Sequence, residues 1–272
     1  MAIIAGFMVP HPPLIIPEVG RGNEHVVDRT IRSYERVGRE ILALRPETII
    51  ITSPHSILYS DYFHVSPGRS ASGDFGNFGA PQISFDESYD EELVGKISEI
   101  AERERFSAGT LGERQPWLDH GTMVPLFFIE KAYREAGEKK DFKVVRSGLS
   151  GLSLEQHVRF GEIIREAVDS TGRKTVFVAS GDLSHKLQKS GPYGFDPAGP
   201  VYDEKIMDVM GRGAFDELKS FDEHLLNEAA ECGHRSFTIM GGAMKDKKLS
   251  IEKLSHEDVT GVGYGICTYM VL

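Results

Sequence analysis

The sequence predicts a single α/β domain in which helices cover a largely buried sheet. Short apolar segments rich in β-branched residues alternate along the chain with longer segments whose apolar residues recur at helical spacing. Neither an internal repeat nor a linker-like segment divides the sequence, so we expect one domain over residues 1–272. Apolar residues make up 40% of the chain, which is enough to form a sizeable core.

Two strands and one long helix are predicted at the start of the chain. Residues 2–9 form a short apolar run that predicts the first strand. A helix should follow, capped by Asn23 and ending at Leu44, because apolar residues recur there at helical spacing and Pro46 prevents its continuation. The β-branched run Thr48–Ser56 then predicts a strand that is buried on both faces.

A segment rich in glycine and serine, residues 67–82, follows a short predicted strand at residues 63–66. A loop of this length inside a compact domain is usually functional or disordered. Because the segment also contains Phe75 and Phe78, we expect it to form an ordered lid or a pocket wall.

The rest of the chain continues the alternation of helix and strand. Ser153 and Gln156 have the spacing of a capping box, which places a helix start at that point. The remaining predicted elements are, in order, a charged helix at Asp90–Arg105, a helix at Met123–Ala136, a strand that leads into a turn at 142–151, a helix from Ser153 to Val168, a strand that runs into a polar loop at Lys174–His185, helical segments between Tyr202 and Met244, and a final strand at Gly263–Leu272.

The composition argues against several classes of function. The formal net charge of −10 and the pI near 5.5 disfavour a nucleic-acid-binding surface, which requires a basic patch. No apolar run approaches the ~20 residues that span a bilayer, and the N-terminus lacks the pattern of a secretory signal. Two cysteines, Cys232 and Cys267, are too few for a disulfide framework. We therefore expect a cytoplasmic protein that binds neither nucleic acid nor membranes.

Three of the ten histidines follow predicted strands, namely His11, His55 and His185. Ligands in open α/β sheets gather at the carboxyl ends of strands, so these side chains would converge if their strands are neighbours. A fourth, His120, lies in a glycine-containing turn that enters a helix. A single histidine at a strand end is more often a surface or capping group than a ligand. Three at equivalent positions predict a metal site or an acid–base site.

The residues around these histidines narrow the choice of metal. Prolines flank His11 and precede His55, and a restricted backbone lowers the entropy lost when a metal site becomes ordered. Two neutral imidazoles and one carboxylate suit non-haem Fe(II) and can also hold Zn(II). The carboxylate would come from residues 225–236, where Glu228 and Glu231 share a helix face, although such a pair is more often a solvated charge on a helix surface.

Four motifs along the chain resemble those of one enzyme family. The sequences VPHPP near the N-terminus, SPHS after the second predicted strand, LDHGTMVPL in mid-chain and SGDLSH later occur in the order of the class III extradiol ring-cleaving dioxygenases, a superfamily that includes the Memo proteins. The set spans nearly the whole chain, through ECGHRS in its C-terminal third. The resemblance implies a single α/β domain with a central, mostly buried mixed sheet flanked by helices and a metal site at the carboxyl ends of the strands.

The resemblance also implies which residues hold the metal. His11 and His55 match two ligands of the family. The family enzymes take a late glutamate as the third ligand, which matches Glu231, whereas Memo proteins have a cysteine in a CGRHP-like motif, which matches Cys232. The third ligand is therefore either Glu231 or Cys232, and this choice bears on both the metal and the reaction.

The implied function is cleavage of a catechol-type aromatic ring with O2 by an Fe(II)-dependent extradiol dioxygenase. His185 would be the catalytic acid and base, a task that suits histidine because imidazole titrates near neutral pH. His120 would be a second pocket histidine that positions substrate or oxygen. The family includes chains that work beside a partner subunit, so we expect a homodimer or a partner subunit here.

Three other functions fit the same sequence. A Memo-like protein would bind copper or another metal without cleaving rings. A hydrolase would use Zn(II) held by the same histidines to activate water. A structural or interaction module is the remaining alternative, and four histidines in family-like motifs disfavour it.

Overall fold

The computed structural model describes residues 3–272, which contain ten strands and eight α-helices. Residue 2, which the sequence assigns to the first strand, lies outside the described residues. The strands are β1 (Ile3–Val9), β2 (Thr48–Thr52), β3 (Phe63–His64), β4 (Ser70–Phe75), β5 (Ala80–Ser88), β6 (Ala108–Gly109), β7 (Lys143–Ser147), β8 (Thr175–Ser180), β9 (Leu249–Glu257) and β10 (Tyr264–Val271). The helices are α1 (Pro17–Gly20), α2 (Asp28–Leu44), α3 (Glu91–Arg103), α4 (His120–Glu135), α5 (Leu154–Thr171), α6 (Ala198–Arg212), α7 (Glu223–Ala229) and α8 (His234–Met244).

Six of the strands form one mixed sheet in the order β7-β2-β8-β1-β10-β9. The first four of these run parallel to one another, whereas β10 is antiparallel to both β1 and β9. The other strands form two small pairs, β3 with β6 and β4 with β5. The predicted single α/β domain with a central mixed sheet flanked by helices is confirmed.

Both faces of the sheet are buried under helices. In β2, Ile50 packs into one core while Ile49 and Ile51 pack into the other, because successive side chains of a strand point to opposite faces. Helices α5 and α8 lie on the first face, and α2 and α4 lie on the second. Burial on both faces explains why the middle of β2 is three consecutive isoleucines and does not alternate with polar residues.

The segment predicted as a loop at residues 67–82 is instead mostly a β-hairpin. Strands β4 and β5 pair antiparallel, and Gly79 completes the turn between them with a φ of 77°. Ala71, Phe75 and Phe85 point to the buried side of this hairpin. The loop prediction was wrong because glycine is depleted in strands, so the composition concealed a pattern that packing enforces.

Helix α4 begins at His120, three residues earlier than the predicted start at Met123. Asp119 is the N-cap, since its carboxylate accepts a hydrogen bond from the backbone N–H of Thr122. The position of the cap matters for the site, because it places the His120 ring on the first residue of a helix.

Two further differences concern helix caps and an edge strand. Asn23 does not cap α2, because a short 3₁₀ turn at Glu24–Val27 intervenes. Strand β9 was not predicted, since its mostly polar sequence lies at the edge of the sheet. The capping box of Ser153 and Gln156 is confirmed.

No helix within residues 3–272 is long and apolar enough to cross a membrane.

Candidate metal centre

Three neighbouring parallel strands bring histidines to one edge of the central sheet. His11 follows β1, His55 follows β2, and His185 follows β8, which lies between the other two strands. Parallel strands end at the same edge of a sheet, so the three loops meet there. The structure therefore brings together the three strand-end histidines that the sequence singled out.

Two histidine nitrogens and a thiol converge in this cluster. The Nε2 atoms of His11 and His55 are 3.0 Å apart, and the Sγ atom of Cys232 lies 3.6 Å from Nε2 of His11. The ligand atoms of these three residues all lie within 4.8 Å of one another. His11 is almost fully buried, whereas His55 is exposed and Cys232 is partly buried.

Cys232 reaches the sheet edge because two glycines allow two loops to touch. It lies in the connection between α7 and α8, beside Gly233. A Cβ on Gly181, just after β8, would lie 2.1 Å from the Cα of Gly233, so a side chain there would push the loops apart. The N–H of Gly233 donates a hydrogen bond of 3.0 Å to the carbonyl of Asp182, which fixes the approach.

The structure does not bring the carboxylate of Glu231 into this cluster. Its Oε2 atom accepts a hydrogen bond of 2.5 Å from the backbone N–H of His234, at the start of α8. Burial raises the pKa of Glu231 to about 7, and the hydrogen bond from His234 opposes that shift. Of the two residues that the resemblance offers as the third ligand, Cys232 is the one whose side chain lies beside His11.

Asp182, which the sequence analysis did not single out, contacts several members of the cluster. Its Oδ1 atom accepts a hydrogen bond of 2.7 Å from the backbone N–H of His11, and its own N–H donates to the sulfur of Cys232 over 3.3 Å. Its Oδ2 atom lies 4.0 Å from Nε2 of His185 and 4.0 Å from Nε2 of His11. The residue stands in the SGDLSH motif after β8, so the strand-end rule that selected His185 could also have selected it.

The hydrogen bonds of two histidines assign their tautomers. The hydroxyl of Ser180 donates to the carbonyl of Gly121 over 2.6 Å, so its oxygen accepts from Nδ1 of His11 over 3.0 Å. In the same way, Nδ1 of His185 donates to the carbonyl of Ala230. The ring lone pairs of His11 and His185 are therefore on Nε2, and both of these atoms face the cluster. A lone pair at this position can bind a cation or accept a proton.

Burial keeps the cluster electrically neutral in the absence of a cation. Desolvation, reinforced by the neighbouring His55, lowers the pKa of His11 well below its ordinary value, and burial also lowers the pKa of His55. Burial and these two histidines lower the pKa of His120 to about 3. Burial, together with the negative charge of Asp182, raises the pKa of the Cys232 thiol. Neutral imidazoles are the form that binds metals, and the thiol must lose a proton to do so.

A cavity of about 730 Å³ opens beside the cluster, and His55 and His120 form part of its wall. The ring centroids of these two histidines are 3.9 Å apart. Phe78 lies on the hairpin turn with its ring centroid 5.3 Å from that of His120, and Trp117 lines the cavity from the segment before α4. The predicted pocket wall in the segment 67–82 is thus formed by Phe78, whereas Phe75 is fully buried in the core.

Asp119 connects the loop of His55 with the helix of His120. Its Oδ1 atom accepts a hydrogen bond of 2.5 Å from the hydroxyl of Ser53. The Ser53 oxygen in turn accepts from the backbone N–H of His55 over 3.2 Å. Because Asp119 also caps α4, one buried carboxylate holds both histidines of the cavity wall in place.

The guanidinium of Arg146 binds the segment of the cavity wall that precedes Asp119. The side chain is fully buried, and it donates to the carbonyls of Trp117 and Gln115 at 2.5 Å and 2.7 Å. Its Nη1 atom is 3.7 Å from Oδ2 of Asp119. Arg146 thereby fixes the backbone of the cavity wall and balances the negative charge of the capping aspartate.

Two groups of side chains within residues 3–272 could hold a metal ion, and they share Cys232. One consists of His11, His55 and Cys232, and the other of Asp182, His185 and Cys232. In the second group, Oδ1 of Asp182 already accepts the N–H of His11, which leaves only Oδ2 of that carboxylate for a metal ion. Two imidazoles and a thiolate are ligands that transition metals such as zinc, copper and iron accept.

Comparison with known proteins identifies relatives over almost the whole chain. The family model for the catalytic LigB subunit of aromatic ring-opening dioxygenases matches residues 5–267. Protein CA_C1420 of Clostridium acetobutylicum is 37% identical over 273 residues, which cover 98% of this chain and 57% of that protein's length. This chain thus spans a little over half of that relative. The beta subunit of 2-aminophenol 1,6-dioxygenase from a Pseudomonas species is 27% identical over 295 residues, covering 97% of this chain and 92% of that subunit.

A solved structure has a similar fold. The crystal structure of the uncharacterized protein JW3007 from Escherichia coli K12 superposes with a TM-score of 0.63 and covers 98% of this chain and 99% of its own. The two sequences are 15% identical, so the likeness concerns the fold alone.

The support that Arg146 provides leads to a prediction about stability. We expect Arg146→Met to lower the free energy of unfolding by about 3–5 kcal/mol, because it leaves the buried carboxylate of Asp119 without its neighbouring positive charge and two backbone carbonyls without their donor. The measurement is urea-induced unfolding followed by circular dichroism.

The control is Arg159→Met. Arg159 also faces two carboxylates, those of Glu104 and Glu162, but its side chain is 42% exposed. The loss of unfolding free energy in Arg159→Met should stay below about 1 kcal/mol. Equal losses in the two variants would contradict the role given to Arg146.

Proposed function

Because this chain belongs to the family of the catalytic LigB subunit of aromatic ring-opening dioxygenases, we propose that it uses a bound metal ion and O2 to open a catechol-type aromatic ring. In the net reaction both atoms of O2 enter the substrate, and one ring carbon–carbon bond next to a hydroxyl-bearing carbon breaks. The observation that carries the proposal is the convergence of His11, His55 and Cys232 beside a cavity, with Nε2 of His185 free in the same cluster.

The proposed metal ligands are His11 and His55, with Cys232 in preference to Glu231 as the third. Both histidines offer uncharged imidazole nitrogens, and the thiol would become a thiolate on binding. When bound, an ion such as Fe(II) would hold the two substrate oxygens close to O2 and carry electrons between them. The cluster supplies three protein ligands, which leaves positions for substrate and oxygen.

His185 is the proposed acid and base. Its Nδ1–H donates to a backbone carbonyl, so Nε2 has a lone pair that can accept the proton of a substrate hydroxyl. The imidazolium formed would be stabilised by the carboxylate of Asp182, whose Oδ2 lies 4.0 Å from Nε2 of His185. The same proton can return to the product when the ring opens, which makes His185 base and then acid.

His120 and the cavity wall position the substrate in this proposal. The burial that lowers the pKa of His120 to about 3 keeps its ring neutral, so it can donate one hydrogen bond to a substrate or oxygen atom. The ring of Phe78 on the hairpin turn adds an apolar surface above it. An aromatic substrate that packs against these rings would displace water from the reacting atoms.

The sulfur ligand supports a second candidate function. A thiolate beside two imidazoles is a donor set that Cu and Zn(II) also favour, and it departs from the two histidines and one carboxylate typical of non-haem Fe(II) oxygenases. The chain would then be a Memo-like protein that binds a metal without cleaving rings. The observation that favours this alternative is the distance of 3.6 Å between the Cys232 sulfur and Nε2 of His11.

The relative that is a beta subunit of a dioxygenase supports assembly with a second subunit. We propose either a homodimer or a complex with a different chain, and multi-angle light scattering of the purified protein, alone and after co-purification, distinguishes the two.

The third ligand can be tested by metal binding alone. We expect Cys232→Ser to weaken Zn(II) binding at least about tenfold and to abolish the proton released when the thiol binds. Glu231→Gln should retain both properties, because the amide oxygen of glutamine can still accept from the N–H of His234. Calorimetric titration in two buffers of different ionisation enthalpy measures affinity and proton release together. The assignment fails if the glutamine variant loses the metal and the serine variant keeps it.

The reaction is tested by anaerobic reconstitution with Fe(II), followed by O2 and a panel of catechols. We expect the yellow colour of ring-opened product. His185→Ala should keep the iron and lose about 10²–10⁴-fold in turnover, because only the proton transfer is removed. His11→Ala should lose the iron, and the exposed His224, changed to alanine, should alter neither property.

Two outcomes would contradict parts of this scheme. Loss of iron in His185→Ala would show that His185 is a ligand and not the acid and base. Absence of turnover on every catechol, with iron demonstrably bound, would exclude the dioxygenase and leave the metal-binding alternative.

A further inference from the structure

We propose that the cavity selects aromatic substrates whose non-reacting end carries a positive charge, such as an ammonium group, and disfavours substrates that carry a carboxylate there. This inference rests on the proposed function, since it concerns the substrate of the same centre. It follows from the charges and the strand register of the hairpin, which lines the same cavity as His55 and His120.

Four polar residues of the hairpin share one face. Ser72 pairs with Asp86, and Asp74 pairs with Ser84, in the antiparallel register of β4 and β5. Residues two apart on a strand point to the same side, so all four side chains lie together. All four are exposed and all four line the cavity. The opposite face carries the buried residues of the hairpin, so this orientation is fixed by packing.

The two hairpin aspartates have negative charges that no described residue neutralises at close range. Neither the carboxylate of Asp74 nor that of Asp86 has a lysine, arginine or histidine nitrogen within 4.0 Å among residues 3–272. The only hydrogen bond to an Asp74 carboxylate oxygen in that range comes from the backbone N–H of Gly76, over 2.6 Å. The third aspartate of the cavity, Asp119, differs because Arg146 lies beside it.

The two cations that donate to backbone carbonyls of the hairpin also have other partners or lie outside the cavity. Lys140 donates to the backbone carbonyl of Asp86, but its ammonium group also lies 2.8 Å and 2.7 Å from the carboxylates of Glu87 and Glu130. Arg21 donates to the carbonyl of Gly79 at the hairpin turn and does not line the cavity. Of the described residues that line the cavity, none is a lysine or an arginine.

Aromatic surfaces of the cavity reinforce the preference for a cation. Trp117 is 56% exposed, although it is a large apolar side chain. The faces of aromatic rings attract ammonium groups, and tryptophan does so most strongly. A substrate that presents its hydroxyl-bearing ring to His55 and His120 would have its other end in the same cavity as the hairpin aspartates and Trp117.

The test compares three catechols of similar size that differ in charge: 4-(2-aminoethyl)catechol, 4-propylcatechol and 3-(3,4-dihydroxyphenyl)propionate. Binding to the Zn(II)-loaded protein is measured by calorimetry at low ionic strength and by the fluorescence of Trp117, the single tryptophan of the chain. We expect the cationic compound to bind most tightly and the carboxylate to bind most weakly. Removing one of the two charges should reduce the preference for the cation roughly three- to tenfold.

The variants are Asp74→Asn and Asp86→Asn, and the control is Asp169→Asn. Asp169 is an exposed residue of α5 outside the cavity, so its variant changes the net charge equally without touching the site. Equal affinity for the three compounds would overturn the proposal, as would an equal change in all three variants.

Failure of this proposal is distinguishable from failure of the proposed function. A protein that ranks the catechols by charge but opens none of them would keep the charge preference and lose the dioxygenase assignment. A protein that opens all three rings with equal affinity would do the reverse.

Discussion

The candidate centre depends on the buried carboxylate of Asp182. This residue follows β8, the strand that lies between β1, which precedes His11, and β2, which precedes His55. Its Oδ1 atom accepts a hydrogen bond from the backbone N–H of His11, and its backbone carbonyl accepts one from Gly233 in the loop of Cys232. Its Oδ2 atom lies 4.0 Å from Nε2 of His185. A buried carboxylate persists only if its hydrogen bonds and charge are compensated. The partners of Asp182 provide both, and they are the same groups that would bind a metal or move a proton.

Burial gives this centre its chemistry. The imidazoles of His11 and His55 are held uncharged, the ring lone pair of His11 is on Nε2, and the thiol of Cys232 is protonated until a cation replaces its proton. A metal ion would therefore bind to uncharged side chains, and its binding would convert the Cys232 thiol to a thiolate. The second layer, Asp119 with Arg146, fixes the cavity wall that carries His120 and Trp117 and, through Ser53, also holds the loop of His55.

Much of the fold and part of the centre could be predicted from the sequence. The strands that precede His11, His55 and His185 are apolar runs, and their shared edge follows from parallel order. Cys232 could not be chosen over Glu231, because adjacent residues point in different directions and only the contact between two glycines determines which one faces the sheet. The hairpin at 67–82 was missed because its pairing depends on tertiary packing, which local composition does not encode.

The central claim is that His11, His55 and Cys232 hold one metal ion at the carboxyl ends of the strands. The most direct measurement is X-ray absorption spectroscopy at the metal edge of protein loaded with one equivalent of Zn(II). The account predicts one sulfur scatterer at about 2.3 Å together with imidazole nitrogens at about 2.0–2.1 Å. A spectrum with nitrogen and oxygen ligands alone would contradict it and would return Glu231, or another carboxylate, to the metal.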